Sequence, residues 1–102
     1  LIPTGLYVSI PKGYEIQVRP KSGLSLKFGI TVLNTPGTVD SPYRGELGVI
    51  LINNGGDVFE IAQGMEVAQL VVTRVSTANW NVVEELDDTP RGDGGFGSTY
   101  LK

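Results

Sequence analysis

In the hexapeptide Tyr14-Glu15-Ile16-Gln17-Val18-Arg19, Tyr14, Ile16 and Val18 fall on one face of an extended chain. Glu15, Gln17 and Arg19 fall on the other. This alternation is the period-2 signature of a half-buried strand. Just ahead of it, Pro11-Lys12-Gly13 follows the apolar run Leu6–Ile10, with proline setting a turn and glycine closing it, so a hairpin is expected there. Working outward, Phe28–Leu33, Glu46–Ile52, Asp57–Ile61, Met65–Val75 and Trp80–Glu85 read as further strands. The second of these is apolar enough to be buried on both faces, and Asn53-Asn54-Gly55-Gly56 after it reads as a turn. Fourteen glycines and six prolines make up about a fifth of the chain, leaving little room for helices. The expected fold is all-β: a distorted jelly roll or sandwich-like barrel.

A length of 102 residues corresponds to one domain with one modest core, and so small a domain gains from oligomerisation. The expected division is a core over 1–88 and a mobile arm over 89–102, where Arg91-Gly92-Asp93-Gly94-Gly95-Phe96-Gly97 is too glycine-rich to order without outside contacts. The chain has no cysteine and no histidine, which excludes disulfide scaffolds, thiolate nucleophiles, Ser-His-Asp triads and His-ligated metals. Acid–base chemistry near neutral pH then falls to carboxylates. The net charge of −3 gives no basic face for a nucleic-acid polymer, although a small anion held by a few cations remains allowed. No apolar run approaches the roughly 20 residues of a membrane span, and no signal peptide is visible. No membrane partner is expected, and the expected location is cytoplasmic, nuclear or inside a virus-infected host cell.

Four segments could carry chemistry, and each also has a plain structural reading. Arg19-Pro20-Lys21-Ser22-Gly23 suits a phosphate cradle or an ordinary polar turn; no Walker pattern is present and no helix is expected after it. Asn34-Thr35-Pro36-Gly37-Thr38-Val39-Asp40-Ser41-Pro42-Tyr43-Arg44-Gly45 reads as a long connection between strands. Its open backbone could read the edge of a base, with Asp40 and Tyr43 beside that pocket; alternatively, Asp40 caps local N–H groups. Gln69 sits in an apolar run, either seeking partners for its amide or lying on an exposed face. The arm offers an arginine, an aromatic ring, hydroxyls and free N–H groups, suited to a phosphate chain and a flat base, or it is a disordered tail.

The order and spacing of these segments are more specific than any one of them. Pro20-Lys21-Ser22-Gly23-Leu24, Asn34 with Gly37-Thr38-Val39-Asp40-x-x-Tyr43-Arg44-Gly45, Gly64-x-x-x-Ala68-Gln69, and Arg91-Gly92-x-Gly94-Gly95-Phe96-Gly97-Ser98-Thr99 together resemble the trimeric dUTPases. The likeness runs from about Leu1 to Thr99 and covers motifs two to five of the family's five.

The resemblance implies a homotrimer that hydrolyses dUTP to dUMP and pyrophosphate, serving nucleotide-pool sanitation and dUMP supply, with active sites shared between subunits. It gives Asp40 the role of activating the water that attacks the α-phosphorus. Tyr43 would pack on the deoxyribose, and the segment from Asn34 through Gly37 to Val39 would pair with uracil. Lys21, Ser22, Gly23 and Gln69 would contact the phosphates; Phe96 would cover the base, and Arg91, Gly97, Ser98 and Thr99 would hold the terminal phosphates. Mg²⁺ is the implied cofactor, but the family's metal-associated aspartate, in an Ala-Gly-x-Asp-Leu motif, is expected upstream of Leu1, so no residue here is assigned to metal. The chain departs from the pattern at Lys21, where arginine is common, at Met65-Glu66, where Asp-Arg is usual, and at Pro42. The alternatives are a non-catalytic nucleotide-binding or regulatory trimer of the same fold and, less favoured by the motifs, a relative of the dCTP deaminases.

Overall fold

The computed structural model describes residues 1–101. In chain order the elements are β1 (Ile2–Pro3), β2 (Tyr14–Arg19), α1 (Ser22–Phe28), β3 (Ile30–Val32), β4 (Gly37–Val39), β5 (Gly48–Val49), β6 (Leu51–Asn53) and β7 (Gln69–Arg74), followed by a 3₁₀ turn at Ser98–Leu101. β2 has the bounds and the alternation read from the sequence, with Ile16 and Val18 buried and Arg19 exposed. Its polar face is zipped along the strand: Gln17 Nε2 donates to Glu15 Oε2 at 3.0 Å, and Arg19 Nη2 donates to Gln17 Oε1 at 2.7 Å.

β2 is the centre of a three-stranded antiparallel sheet of order β4-β2-β7. Ile16 pairs with Val39 on one side and Val72 on the other, Val18 with Gly37 and Leu70, and Arg19 with Gln69. Two further antiparallel pairs, β1 with β5 and β3 with β6, complete the described sheets. Val18, Val32 and Val49, one from each sheet, form the core, with Ile2, Val39, Leu51, Val67 and Ala68 packed around them. The sheets therefore meet through β-branched side chains that fit a pleated surface.

Several expectations are corrected. Among the described residues no strand forms at Leu6–Ile10, Asp57–Ile61 or Trp80–Glu85. Pro11 and Tyr14 do close a turn, with Tyr14 N donating to Pro11 O at 3.1 Å, but β2 takes β4 and β7 as its neighbours instead of a hairpin partner. The Phe28–Leu33 strand shortens to β3, because Ser22–Phe28 is helical. Leu24, Leu26 and Phe28 alternate as in a strand, which hid the helix; Leu24 and Phe28 are also spaced i,i+4. Gly29 ends α1 in the left-handed conformation at φ 72°, and its N–H closes on Leu24 and Ser25 carbonyls. A β-carbon there would lie 2.6 Å from Gly55 N, so the α1–β3 corner also needs glycine for close approach. Glu46–Ile52 splits into β5 and β6 and is buried on one face, with Leu47 and Val49 inside and Ile50 exposed. Gly37–Val39, read as part of a long connection, is instead β4.

The radius of gyration is 19.1 Å, against about 13 Å for a globular chain of this size. Only seven hydrophobic side chains are buried among the described residues, whereas Trp80 and Val82 are more than 90 % exposed. Among the described residues, the run Trp80–Glu85 pairs with no strand. Val32→Ala should lower stability by about 2 kcal/mol, because it removes two methyl groups from the most buried side chain. Leu26→Ala, on the exposed helix face, should stay within about 0.5 kcal/mol. Urea unfolding midpoints of the two variants provide the check.

Candidate active site

The sheet register sorts the predicted residues into separate groups. The first forms where β2 ends and β7 begins. Gln69 stands opposite Arg19, and its Nε2 donates to Pro20 O at 3.1 Å, tying the loop that carries Lys21 to the start of β7. Lys21 Nζ pairs with Glu66 Oε2 at 3.0 Å. Ser22 and Gly23 follow in the first turn of α1, exposed, with open space above the Gly23 α-carbon. This corrects the expectation that no helix follows Lys21-Ser22. Gln69 is exposed, yet its amide is engaged.

The second group grows from β4. The turn after Val32 has Thr35 N donating to Val32 O at 3.2 Å and a cis Thr35–Pro36 peptide. Gly37 is buried, and a β-carbon there would lie 3.2 Å from Asn34 Nδ2 and 3.3 Å from Val18 Cβ. Glycine at this position lets the Asn34 amide lie against the strand. At the far end of β4, the chain turns at Asp40, whose carbonyl accepts from Tyr43 N at 3.0 Å. Tyr43 folds back so that its hydroxyl donates to Glu46 O at 2.6 Å, and its ring lies where a side chain on Gly45 would be. Arg44 Nη1 braces the same turn by donating to Ser41 O at 2.5 Å. Val39, Asp40, Tyr43, Glu46 and Leu47 line a cleft of about 210 Å³. The Asp40 carboxylate makes no hydrogen bond among the described residues, so the reading of Asp40 as a local cap gains no support.

The third group is the arm. Arg91 Nε donates to Gly94 O at 2.7 Å, Gly92 N to Thr89 Oγ1 at 3.1 Å, and Ser98 N to Gly95 O at 3.1 Å. These turns gather Arg91, Phe96, Gly97, Ser98 and Thr99 around one concavity of about 550 Å³. Phe96 holds φ at 53°, unusual for a non-glycine residue, and its ring is fully exposed. Among the described residues, the hydrogen bonds of this segment stay within it. The expected arm runs to Lys102, which lies outside the described residues.

Among the described residues, neither Asp40 nor the arm shares a hydrogen bond with the Lys21 group. Gly37 pairs with Val18, next to Arg19, so the near end of the second group adjoins the first, whereas Val39 pairs with Ile16, three positions from Arg19, which sets Asp40 about 10 Å or more along β2 from the first group. A larger cavity of about 720 Å³, lined by Ile2, Pro3, Ile61, Met65 and others, holds none of the predicted residues. Thr4, Glu46 and Gln63 are its polar lining residues, and it lacks the Asp40 and Tyr43 of the smaller cleft. Sequence reasoning missed Glu46, whose carbonyl fixes Tyr43, and did not foresee that Glu66 would pair with Lys21. The charge of Glu66 was a visible signal; for Glu46 there was none.

These groups lie in a chain whose residues 1–100 match the dUTPase family model. The chain belongs to the dUTPase family. The deoxyuridine 5′-triphosphate nucleotidohydrolase of Ehrlichia canis (strain Jake) is 61 % identical over 102 residues, covering 98 % of this chain and 67 % of that protein. The enzyme of the same name from Wolinella succinogenes is 62 % identical over 99 residues, covering 97 % of this chain and 66 % of its own length. The chain thus spans about two thirds of these relatives. Among solved structures, the dUTPase of Staphylococcus bacteriophage 80alpha with dUPNHPP superposes at a TM-score of 0.73 and 27 % identity, covering 95 % of this chain and 76 % of that one. A mutant dUTPase from phage phi11 of S. aureus, solved for its structural Mg(II) ion, shares the fold at a TM-score of 0.65 and 24 % identity. The all-β, jelly-roll-like expectation is borne out.

Gly37→Ala should press the new methyl on Val18 and Asn34 together, since both contacts are tighter than ordinary packing. A loss of about 1–3 kcal/mol is expected, read by thermal unfolding, with the Asn34 amide resonances shifted in an NMR spectrum.

Proposed function

We propose that the chain hydrolyses dUTP to dUMP and pyrophosphate. The observation that carries this reading is the Asp40 carboxylate, unpartnered in a cleft beside a fixed tyrosine, in a chain of the dUTPase family. Asp40 accepts a proton from water as the water oxygen attacks the α-phosphorus. The bond from that phosphorus to the α,β-bridging oxygen breaks, and pyrophosphate leaves. Such a step depends on positioning and on cations that stabilise charge developing on the phosphoryl oxygens. Lys21 supplies one such cation, with Ser22, Gly23 and Gln69 beside it; Arg91, Gly97, Ser98 and Thr99 supply a second grip, and Phe96 covers the base. Asn34, Gly37 and Val39 present the uracil-reading edge, and the ring of Tyr43 backs the deoxyribose. Neither alternative raised by the sequence gains support from the geometry or the comparisons.

Because Asp40 stands more than three residues along β2 from the Lys21 group and the arm's hydrogen bonds stay within the arm, the complete site takes these groups from different copies. We place them in a homotrimer, in which the exposed Trp80, Val82 and Leu86 are covered by neighbouring subunits. Magnesium, as a substrate-borne ion, would bind mainly through phosphate oxygens with one or two carboxylates. Among the described residues no group of three or more acidic side chains is arranged to hold it. The described residues do not form a cage for the ion.

Pyrophosphate release from dUTP should exceed release from dTTP, dCTP and UTP. Asp40→Asn should lower turnover by about 10²–10⁴-fold while a non-hydrolysable dUTP analogue still binds; equal loss of both would make Asp40 a structural residue. Removal of residues 91–102 should reduce turnover by about 100-fold or more without changing the unfolding midpoint. Full activity of the shortened chain would overturn the assignment of base cover and phosphate grip to the arm.

A further inference from the structure

We propose that Glu66 competes with the substrate for Lys21, as an electrostatic latch that the incoming phosphates must open. The proposal rests on the reading of Lys21 as a phosphate-binding residue. Lys21 Nζ lies 3.0 Å from Glu66 Oε2, and their side chains are 37 % and 81 % exposed. The lysine is thus half-sheltered and the glutamate free to swing away. An ammonium already engaged by a carboxylate exchanges one anion for another when a phosphate arrives, so the gain from binding is reduced by the pair that is lost. Glu66 also adds a negative charge where a polyanion must approach.

The opposite role, in which Glu66 holds Lys21 in place for its ligand, is not needed here. The loop carrying Lys21 is anchored separately by the bond from Gln69 Nε2 to Pro20 O at 3.1 Å and by the start of α1, where Ser25 N donates to Lys21 O at 3.1 Å. Lys21 has three donors but a single carboxylate partner among the described residues. With the backbone fixed by other groups, the ion pair acts on the charge of Lys21 more than on its position. The effect should grow with ligand charge: absent for deoxyuridine, small for dUMP and largest for the triphosphate.

Calorimetric titration with a non-hydrolysable dUTP analogue tests this. Glu66→Gln should tighten binding about 3- to 5-fold, the range an exposed ion pair supports. It should leave deoxyuridine affinity within about twofold, and Glu66→Asp should restore most of the wild-type affinity. In a Lys21→Gln background, Glu66→Gln should have markedly less effect, because the competition needs both partners. Weaker or unchanged binding by Glu66→Gln would overturn the latch, as would equal tightening with Lys21 absent. If neither wild type nor variant binds the analogue, the functional reading fails instead. Inorganic tripolyphosphate then decides the latch: tighter binding by Glu66→Gln upholds it, and no change overturns it.

Discussion

The antiparallel pairing of β2 with both β4 and β7 is the constraint on which the rest of the molecule depends. A single register puts Val18 between Gly37 and Leu70, and Ile16 between Val39 and Val72. Shifting either neighbour by one residue would turn its inward side chains to solvent, because side chains alternate with a period of two. The same register decides the chemistry. It brings Gln69 beside Arg19 and Pro20 at one end, and directs the chain leaving β4 toward Asp40 at the other. Without β2 in the middle, neither group would have a platform.

The candidate site residues carry few charges, and each charge has a visible partner or a visible lack of one among the described residues. Lys21 is paired with Glu66, and Arg91 is turned onto the Gly94 carbonyl. Asp40 stands free in its cleft beside a tyrosine locked to a backbone carbonyl. An exposed ion pair contributes little to stability, so the Lys21–Glu66 contact adds little to the fold. By contrast, the close approaches at Gly29 and Gly37 are steric, and no polar substitution could replace them.

The β2 segment was legible because its alternation is strict and Ile16 and Val18, on one face, are its buried side chains. The family motifs were legible because they are short and ordered. The helix Ser22–Phe28 was not, since three apolar residues at alternate positions imitate a strand and the helix buries none of its side chains. β4 was hidden in a proline- and glycine-rich run, where local composition favours turns; its pairing with β2 is a non-local contact that outweighs them. The reverse error occurred at Trp80–Glu85, where local content favours a strand but no strand among the described residues pairs with it.

The sequence by itself determined the all-β class, the central strand and its buried face, the exclusion of histidine and cysteine chemistry, and the identity of the candidate site residues. Each of these follows from residue type and short-range spacing. The tertiary structure alone decided which distant residues meet: Gln69 with the Lys21 loop, Gly37 with Val18, and Glu66 with Lys21 across 45 positions of chain. Such contacts depend on strand register and loop closure. Both are settled by the summed packing of the whole domain, and no window of neighbouring residues contains that information.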